Sequence, residues 1–124
     1  SPTEKRRSRR EEALTPGPID WGRLNEMLGG AQGPLLEFLG EYLQKTSEQL
    51  EQLGAALNSG SASEVELLAH RCRGASANFG IEAMVQPMQR LEDAALSGDL
   101  SNGPGIFAEA KEAFALVEKA VQSR

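Results

Sequence analysis

The stretch AHRCRGASANFG, residues 69–80, decides the reading of this chain. It holds the only histidine, His70, followed at three and four residues by Arg73 and Gly74, and it closes on Gly80. Upstream and within it, Val65, Leu68, Cys72, Ala75 and Phe79 recur at three-four spacing. They fall within roughly 80° of one another on a helical wheel, so the stretch is an amphipathic helix with those residues as its core side. Ser61 followed by Glu64 fits a capping box that opens the helix, and Gly80 suits its left-handed C-terminal residue. His70 falls about 180° from the middle of the apolar stripe, among Glu66, Arg73, Gly74 and Ala77. A histidine selected for packing would lie on the other side. Gly74 inside a helix costs on the order of 1 kcal/mol relative to alanine, and close approach by a partner is the natural reason for it. Arg73, one turn from His70, supplies a permanent cation for a phosphate carried on the imidazole. An exposed imidazole, an adjacent cation and removed bulk together suit a phosphoryl acceptor, because the neutral ring nitrogen is nucleophilic near neutral pH.

The rest of the chain supplies the helices that this one packs against. Asp20 caps a short helix whose apolar side is Ile19, Leu24, Met27 and Leu28, stopped by Gly29-Gly30. Pro34 suits the first turn of the next helix. There Leu35, Leu39, Tyr42, Thr46, Leu50, Leu53 and Leu57 form a long stripe, widened by Phe38 and Leu43 and ended by Asn58-Ser59-Gly60. After the histidine helix, another runs from about Glu82 to Leu96 on Ala83, Met84, Met88, Leu91 and Ala95. Pro87 is expected either to kink it early or to delay its regular part. The last helix starts near Pro104 and carries Phe107, Ala110, Phe114, Val117 and Val121. One short and four long helices with short connections predict an all-α, antiparallel up-down four-helix bundle over residues 19–124, with the short helix capping one end.

Composition agrees. The chain has 124 residues, 40% apolar but only 5% aromatic, which favours helices packed on helices over a sheet. Residues 1–18 are charged, then turn to Thr15-Pro16-Gly17-Pro18, and read as a flexible leader or linker. Five basic residues (Lys5, Arg6, Arg7, Arg9, Arg10) against three acidic ones in its first twelve positions leave the body more acidic than the net charge of −5. That argues against a nucleic-acid surface on the folded part. No apolar run approaches a membrane span, and the single Cys72 allows no internal disulfide or cysteine-based metal cluster. A cytoplasmic, monomeric domain is the expectation.

The motif resembles the histidine-containing phosphotransfer (HPt) domains of multistep two-component relays. That family has His, then Lys and Gly at three and four residues, small residues, and a further Gly at ten. Here these are His70, Arg73, Gly74, the run Ser76-Ala77-Asn78, and Gly80, with Leu68-Ala69 before and Ile81 after. The resemblance runs from about Ile19 to Val121. It implies that His70 is phosphorylated on the ring nitrogen distal to the backbone, that Arg73 stabilises the phosphate in place of the usual Lys, and that Arg71, Gly74, Ala77 and Gln89 face a receiver domain. Arginine keeps the charge but can grip a phosphoryl group in two places. The family also commonly has a polar residue on the next helix facing the histidine. In a hairpin turning near Ile81, His70 lies eleven residues before the turn and Glu92 eleven after, which puts Glu92 level with it, with Gln89 as the second candidate. The implied partners are response-regulator receiver domains, with Mg²⁺ supplied by the receiver and no cofactor of the domain's own. No glycine-rich nucleotide loop is present, so no ATP-dependent kinase activity is expected. The leader and the start at Ser1 lead us to expect a domain excised from a longer parent, a hybrid sensor kinase with this domain at its C-terminus. The alternative is an HPt-like adaptor that binds receivers without carrying phosphate. A hydrolase using His70 as general base is disfavoured, since no Ser or Cys nucleophile has a base-and-orienter arrangement.

Overall fold

The computed structural model describes residues 17–124, and the leader expected at the N-terminus falls, in residues 1–16, outside the described residues. Five helices follow in order: α1 (Trp21–Leu28), α2 (Gln32–Ser59), α3 (Ala62–Phe79), α4 (Glu82–Ser97) and α5 (Gly103–Gln122). Helices α2, α3, α4 and α5 each pack on the next and α5 packs back on α2, which closes a four-helix bundle. The described residues contain no strand.

The connections are tight because adjacent helices share residues. Gly60, at φ +71°, ends α2, and the Ser61 N–H then donates back to the Ala56 carbonyl at 2.9 Å. Ser61 is thus committed to closing α2 while standing as the N-cap of α3, and its side chain makes no capping bond. The expected capping box does not form: the Ser61 N–H that Glu64 would accept from is already given to the Ala56 carbonyl, and Ser61 Oγ takes no bond from the first turn of α3. The same device joins α3 to α4: Gly80 sits at φ +76°, and the Ile81 N–H donates to the Ser76 carbonyl at 2.8 Å. Gly80 is also crowded, because a Cβ there would lie 2.9 Å from the Asp20 carbonyl oxygen. That crowding comes from α1, which caps this end of the bundle: the Asp20 N–H donates to the Gly80 carbonyl at 2.7 Å, and the Arg23 side chain donates to the Asn78 carbonyl. Asp20 caps α1 as expected, accepting from the Arg23 N–H. Helix α4 is continuous from Glu82 through Pro87 to Ser97, so its expected start holds with the proline inside its second turn.

The core follows the expected stripes with several changes, among them Ala56 buried where Leu57 is only partly so on α2. On α1, Met27 is exposed and Leu24 alone of the helix is fully buried. On α5, Ile106 joins the buried set. On α3 the buried residues are Val65, Leu68, Ala69, Cys72 and Ser76, whereas Ala75 is exposed. A serine displaces an alanine from the core because its hydroxyl has a partner. Tyr42 on α2 meets Ser76 Oγ at 2.8 Å, and a satisfied buried hydroxyl carries little penalty. Burial holds the Tyr42 phenol well above its ordinary range and pushes the Cys72 thiol up to about 11. Cys72, 1% exposed, serves as packing.

Candidate functional site

The revised stripe turns α3. His70 lies about 140° from the middle of the observed core side, not opposite it, and so leans toward α4. There the hairpin brings Glu92 to its level. His70 Nδ1 lies 2.6 Å from Glu92 Oε2, with the imidazole side chain 57% exposed and the carboxylate side chain 9% exposed. Gln89 does not take this place, because its amide donates to Asp93 at 3.0 Å.

The chemistry of the pair fixes the tautomer. A carboxylate only accepts, so the ring nitrogen facing it carries a proton, and in the neutral ring the lone pair is left on Nε2. No described residue bonds Nε2. The ring is pinned at one edge and open at the other.

Arg73 departs from its expected place. Its side chain is 26% exposed, and Nη2 lies 3.5 Å from Glu92 Oε1 and 3.1 Å from His70 Nδ1. Two donors cannot bond each other, so the attraction holding the guanidinium is to the carboxylate, and Nδ1–H is its neighbour rather than its acceptor. Arg73 therefore stands on the Nδ1 edge with Glu92, not over the free nitrogen. Its Nε is buried and has no hydrogen-bond partner, an orphan donor of a kind rare in folded proteins.

Gly74 and Ala77 continue the same side of α3. A Cβ built on Gly74 would meet nothing within 4 Å, so nothing inside the described structure demands glycine there. Arg71 is set apart from this group. It lines a cleft of about 330 Å³ between α2 and α3, with Tyr42, Lys45, Thr46, Gln49, Cys72 and Ala75. Among the described residues, no three His, Cys, Asp or Glu side chains cluster to hold a metal, and no helix is long and apolar enough to cross a membrane.

Comparison with protein families matches residues 37–120 to the Hpt domain model, which spans the histidine, its hairpin partner and most of the bundle. The chain belongs to the Hpt domain family. As an Hpt domain it has a phosphotransfer role in phosphorelay signalling, as a phosphoryl carrier rather than a kinase, and Hpt domains work with response-regulator receivers. Among solved structures it is similar to histidine-containing phosphotransfer protein B (HptB) of Pseudomonas aeruginosa PAO1. The identity is 24% and the TM-score 0.81, over 88% of this chain and 95% of that one. At that identity the likeness speaks for the shared Hpt bundle. Comparison with curated protein sequences finds no match.

Two features of this Hpt domain escaped the sequence. The Arg73–Glu92 ion pair depends on how far a guanidinium reaches, which periodicity does not report. The Tyr42–Ser76 bond depends on the register between α2 and α3, for which no single-helix pattern carries a signal.

Proposed function

We propose that His70 accepts a phosphoryl group from a receiver-domain aspartyl phosphate and passes it to the aspartate of another receiver. In the accepting step the Nε2 lone pair attacks phosphorus, the Nε2–P bond forms, and the P–O bond to the aspartate breaks to release its carboxylate. The return step is the reverse. The observation that carries this reading is the His70 Nδ1–Glu92 bond at 2.6 Å on a ring otherwise exposed, since in the neutral ring it leaves the lone pair on the distal nitrogen.

Each neighbour has a part. Glu92 holds the tautomer and faces the positive charge that the ring gains on phosphorylation. Arg73 balances Glu92 in the resting site, and its unpartnered Nε is the donor available to a phosphoryl oxygen once the side chain shifts. Gly74 and Ala77 admit the receiver's surface close to α3, while Gln89 and Arg71 border the contact on its two flanks. Phosphoryl transfer asks mainly for positioning and charge, and the Mg²⁺ with its acidic pocket belongs to the receiver. We further propose that the domain acts in the cytoplasm and as a monomer.

The test is transfer of label from a phosphorylated receiver, with Mg²⁺, to the wild-type chain and to His70→Gln. Acid-labile, alkali-stable label on the wild type alone supports the reading. Label on the variant removes His70 from it.

A further inference from the structure

Most cations among the described residues have a partner. Arg73 pairs with Glu92, Arg90 with Glu109, Arg23 donates to the Asn78 carbonyl, and Lys111 and Arg124 sit over the rings of Phe107 and Trp21. Lys45, Arg71 and Lys119 form no ion pair among the described residues. Lys119 stands in the last turn of α5, where the helix dipole favours a cation. Lys45 and Arg71 instead share the cleft of about 330 Å³ between α2 and α3. Glu41 and Glu48 lie one turn from Lys45 on α2, yet neither pairs with it. Arg71 has Leu67, Leu68, Gly74 and Ala75 at three and four residues on α3, so its own helix offers it no carboxylate. The bond between Tyr42 Oη and Ser76 Oγ fixes the antiparallel register of the two helices. Counted from it at about 1.5 Å per residue, Lys45 lies about 4.5 Å and Gln49 about 10.5 Å toward the α2–α3 turn, with Arg71 about 7.5 Å the same way. The arginine therefore stems from a level midway between the lysine and the glutamine across the groove. Thr46 and Cys72, both buried, lie level with each other beneath them, and exposed Ala75 keeps the α3 wall low.

We propose that this cleft is a binding site for the phosphate group of a small molecule, held by Arg71 and Lys45 from opposite walls with the Gln49 amide as a further donor. Two cations lining one cleft repel each other, and an anion between them turns that repulsion into attraction. The two side chains are complementary. A guanidinium takes two phosphate oxygens in a planar fork, while an ammonium acts as a point charge that follows the remaining oxygen. A phosphate ester carries about −1.5 to −2 charges at neutral pH, which matches the pair of cations. The size of the cleft is at the low end for ligand sites, which run from about 300 to 1,000 Å³, so it suits free phosphate or a phosphate on a short carbon chain. In the second case the carbons rest on the Cys72 and Ala75 wall. The site is separate from the one around Glu92, since His70 leans toward α4 and Arg71 lines the α2 side of the same helix. The inference stands independently of the phosphotransfer reading, because it concerns binding alone.

The experiment titrates the full chain, labelled with nitrogen-15, with glycerol 3-phosphate, with inorganic phosphate and with glycerol, and follows backbone amide shifts by NMR. Lys45→Gln and Arg71→Gln are compared with the wild type, and Lys119→Gln serves as a cation removed outside the cleft. All three side chains are exposed, and circular dichroism checks that each variant folds. The phosphate probes should give saturable shifts at Lys45, Gln49, Arg71 and Cys72, and glycerol should give none. Saturation by either probe supports the site, and the tighter of the two tells a phosphate ester from free phosphate. Lys45→Gln and Arg71→Gln should each weaken binding about tenfold, the worth of one charge-assisted hydrogen bond, while Lys119→Gln binds as the wild type does. Absence of saturable shifts at about 10 mM of both phosphate probes would overturn the inference. So would equal weakening in all three variants, which marks a general charge effect. Shifts centred on His70 and Arg73 with none at Lys45 would overturn it too, since the phosphate would then belong to the site already described.

Discussion

Replacing Gly74 by alanine should make the domain more stable and less active. Gly74 lies inside α3, and an added Cβ would meet nothing within 4 Å. The fold therefore pays the backbone entropy of a helical glycine and receives no packing in exchange. Alanine should recover about 1 kcal/mol, the ordinary helix-interior difference, which for a domain of this size raises Tm by about 4–8 °C. The cost should appear in transfer. If a receiver lies in van der Waals contact with the bare helix, a methyl group displaces it by about 1 Å, and a shift of that size in a reacting pair costs about a hundredfold in rate. Gly40 is the matched control. It too sits in a helix with open space at its Cβ, is exposed, and belongs to α2, which does not pack on α4. Gly40→Ala should stabilise by a similar amount and leave transfer unchanged. The assays are urea unfolding followed by circular dichroism, and single-turnover transfer from a phospho-receiver. A destabilised Gly74→Ala would mean that the fold itself requires the glycine. A stabilised variant with wild-type transfer would mean that no partner approaches there.

Substitutions at Glu92 should separate orientation from charge. Glu92→Gln keeps an acceptor for the His70 Nδ1–H and should retain most of the transfer rate. Glu92→Ala frees the ring and strips Arg73 of its carboxylate, and should slow transfer at least tenfold while costing about 1–3 kcal/mol in urea unfolding; equal transfer by the two variants would refute the orienting role. At alkaline pH the buried Cys72 and Tyr42 set the behaviour. Both bind their protons more tightly in the folded state than in the unfolded one. Their stabilisation is complete below the unfolded thiol's value of about 9 and is lost as pH rises through the folded value of about 11, the phenol adding to the loss above its own unfolded value. Unfolding free energy measured from pH 8 to 11 should fall by about 2–3 kcal/mol for the thiol alone, and a flat profile would contradict that burial. In the same range Cys72 in the folded protein should resist alkylation that modifies the unfolded chain readily.

Much of this was legible in the sequence because helical geometry is regular. The α2 stripe, the two glycine stops at Gly60 and Gly80, and the level of Glu92 all follow from counting residues along helices of fixed rise. What escaped were pairings between helices. Ala75 looks apolar and Ser76 polar, yet Ser76 is buried because Tyr42 waits opposite it, and that error turned His70 by some 40° on the wheel. Ser61 and Glu64 carry the letters of a capping box, but the Ser61 N–H was already spent on closing α2. Arg73 falls on the helical wheel's outer side with His70, yet it folds back onto Glu92 because an unpaired, nearly buried carboxylate is costly and a guanidinium can reach it. In the resting site the cation belongs to Glu92, and under the proposed function it would serve a phosphoryl group only after moving.

The central claim is that the distal nitrogen of His70 carries the phosphoryl group. The most direct measurement is phosphorus NMR, with mass-spectrometric mapping, of the chain after transfer from a phosphorylated receiver. The account predicts one phosphoramidate signal, on Nε2 of His70, lost on acidification and absent from His70→Gln. Phosphate on Nδ1, or on any residue other than His70, would contradict it.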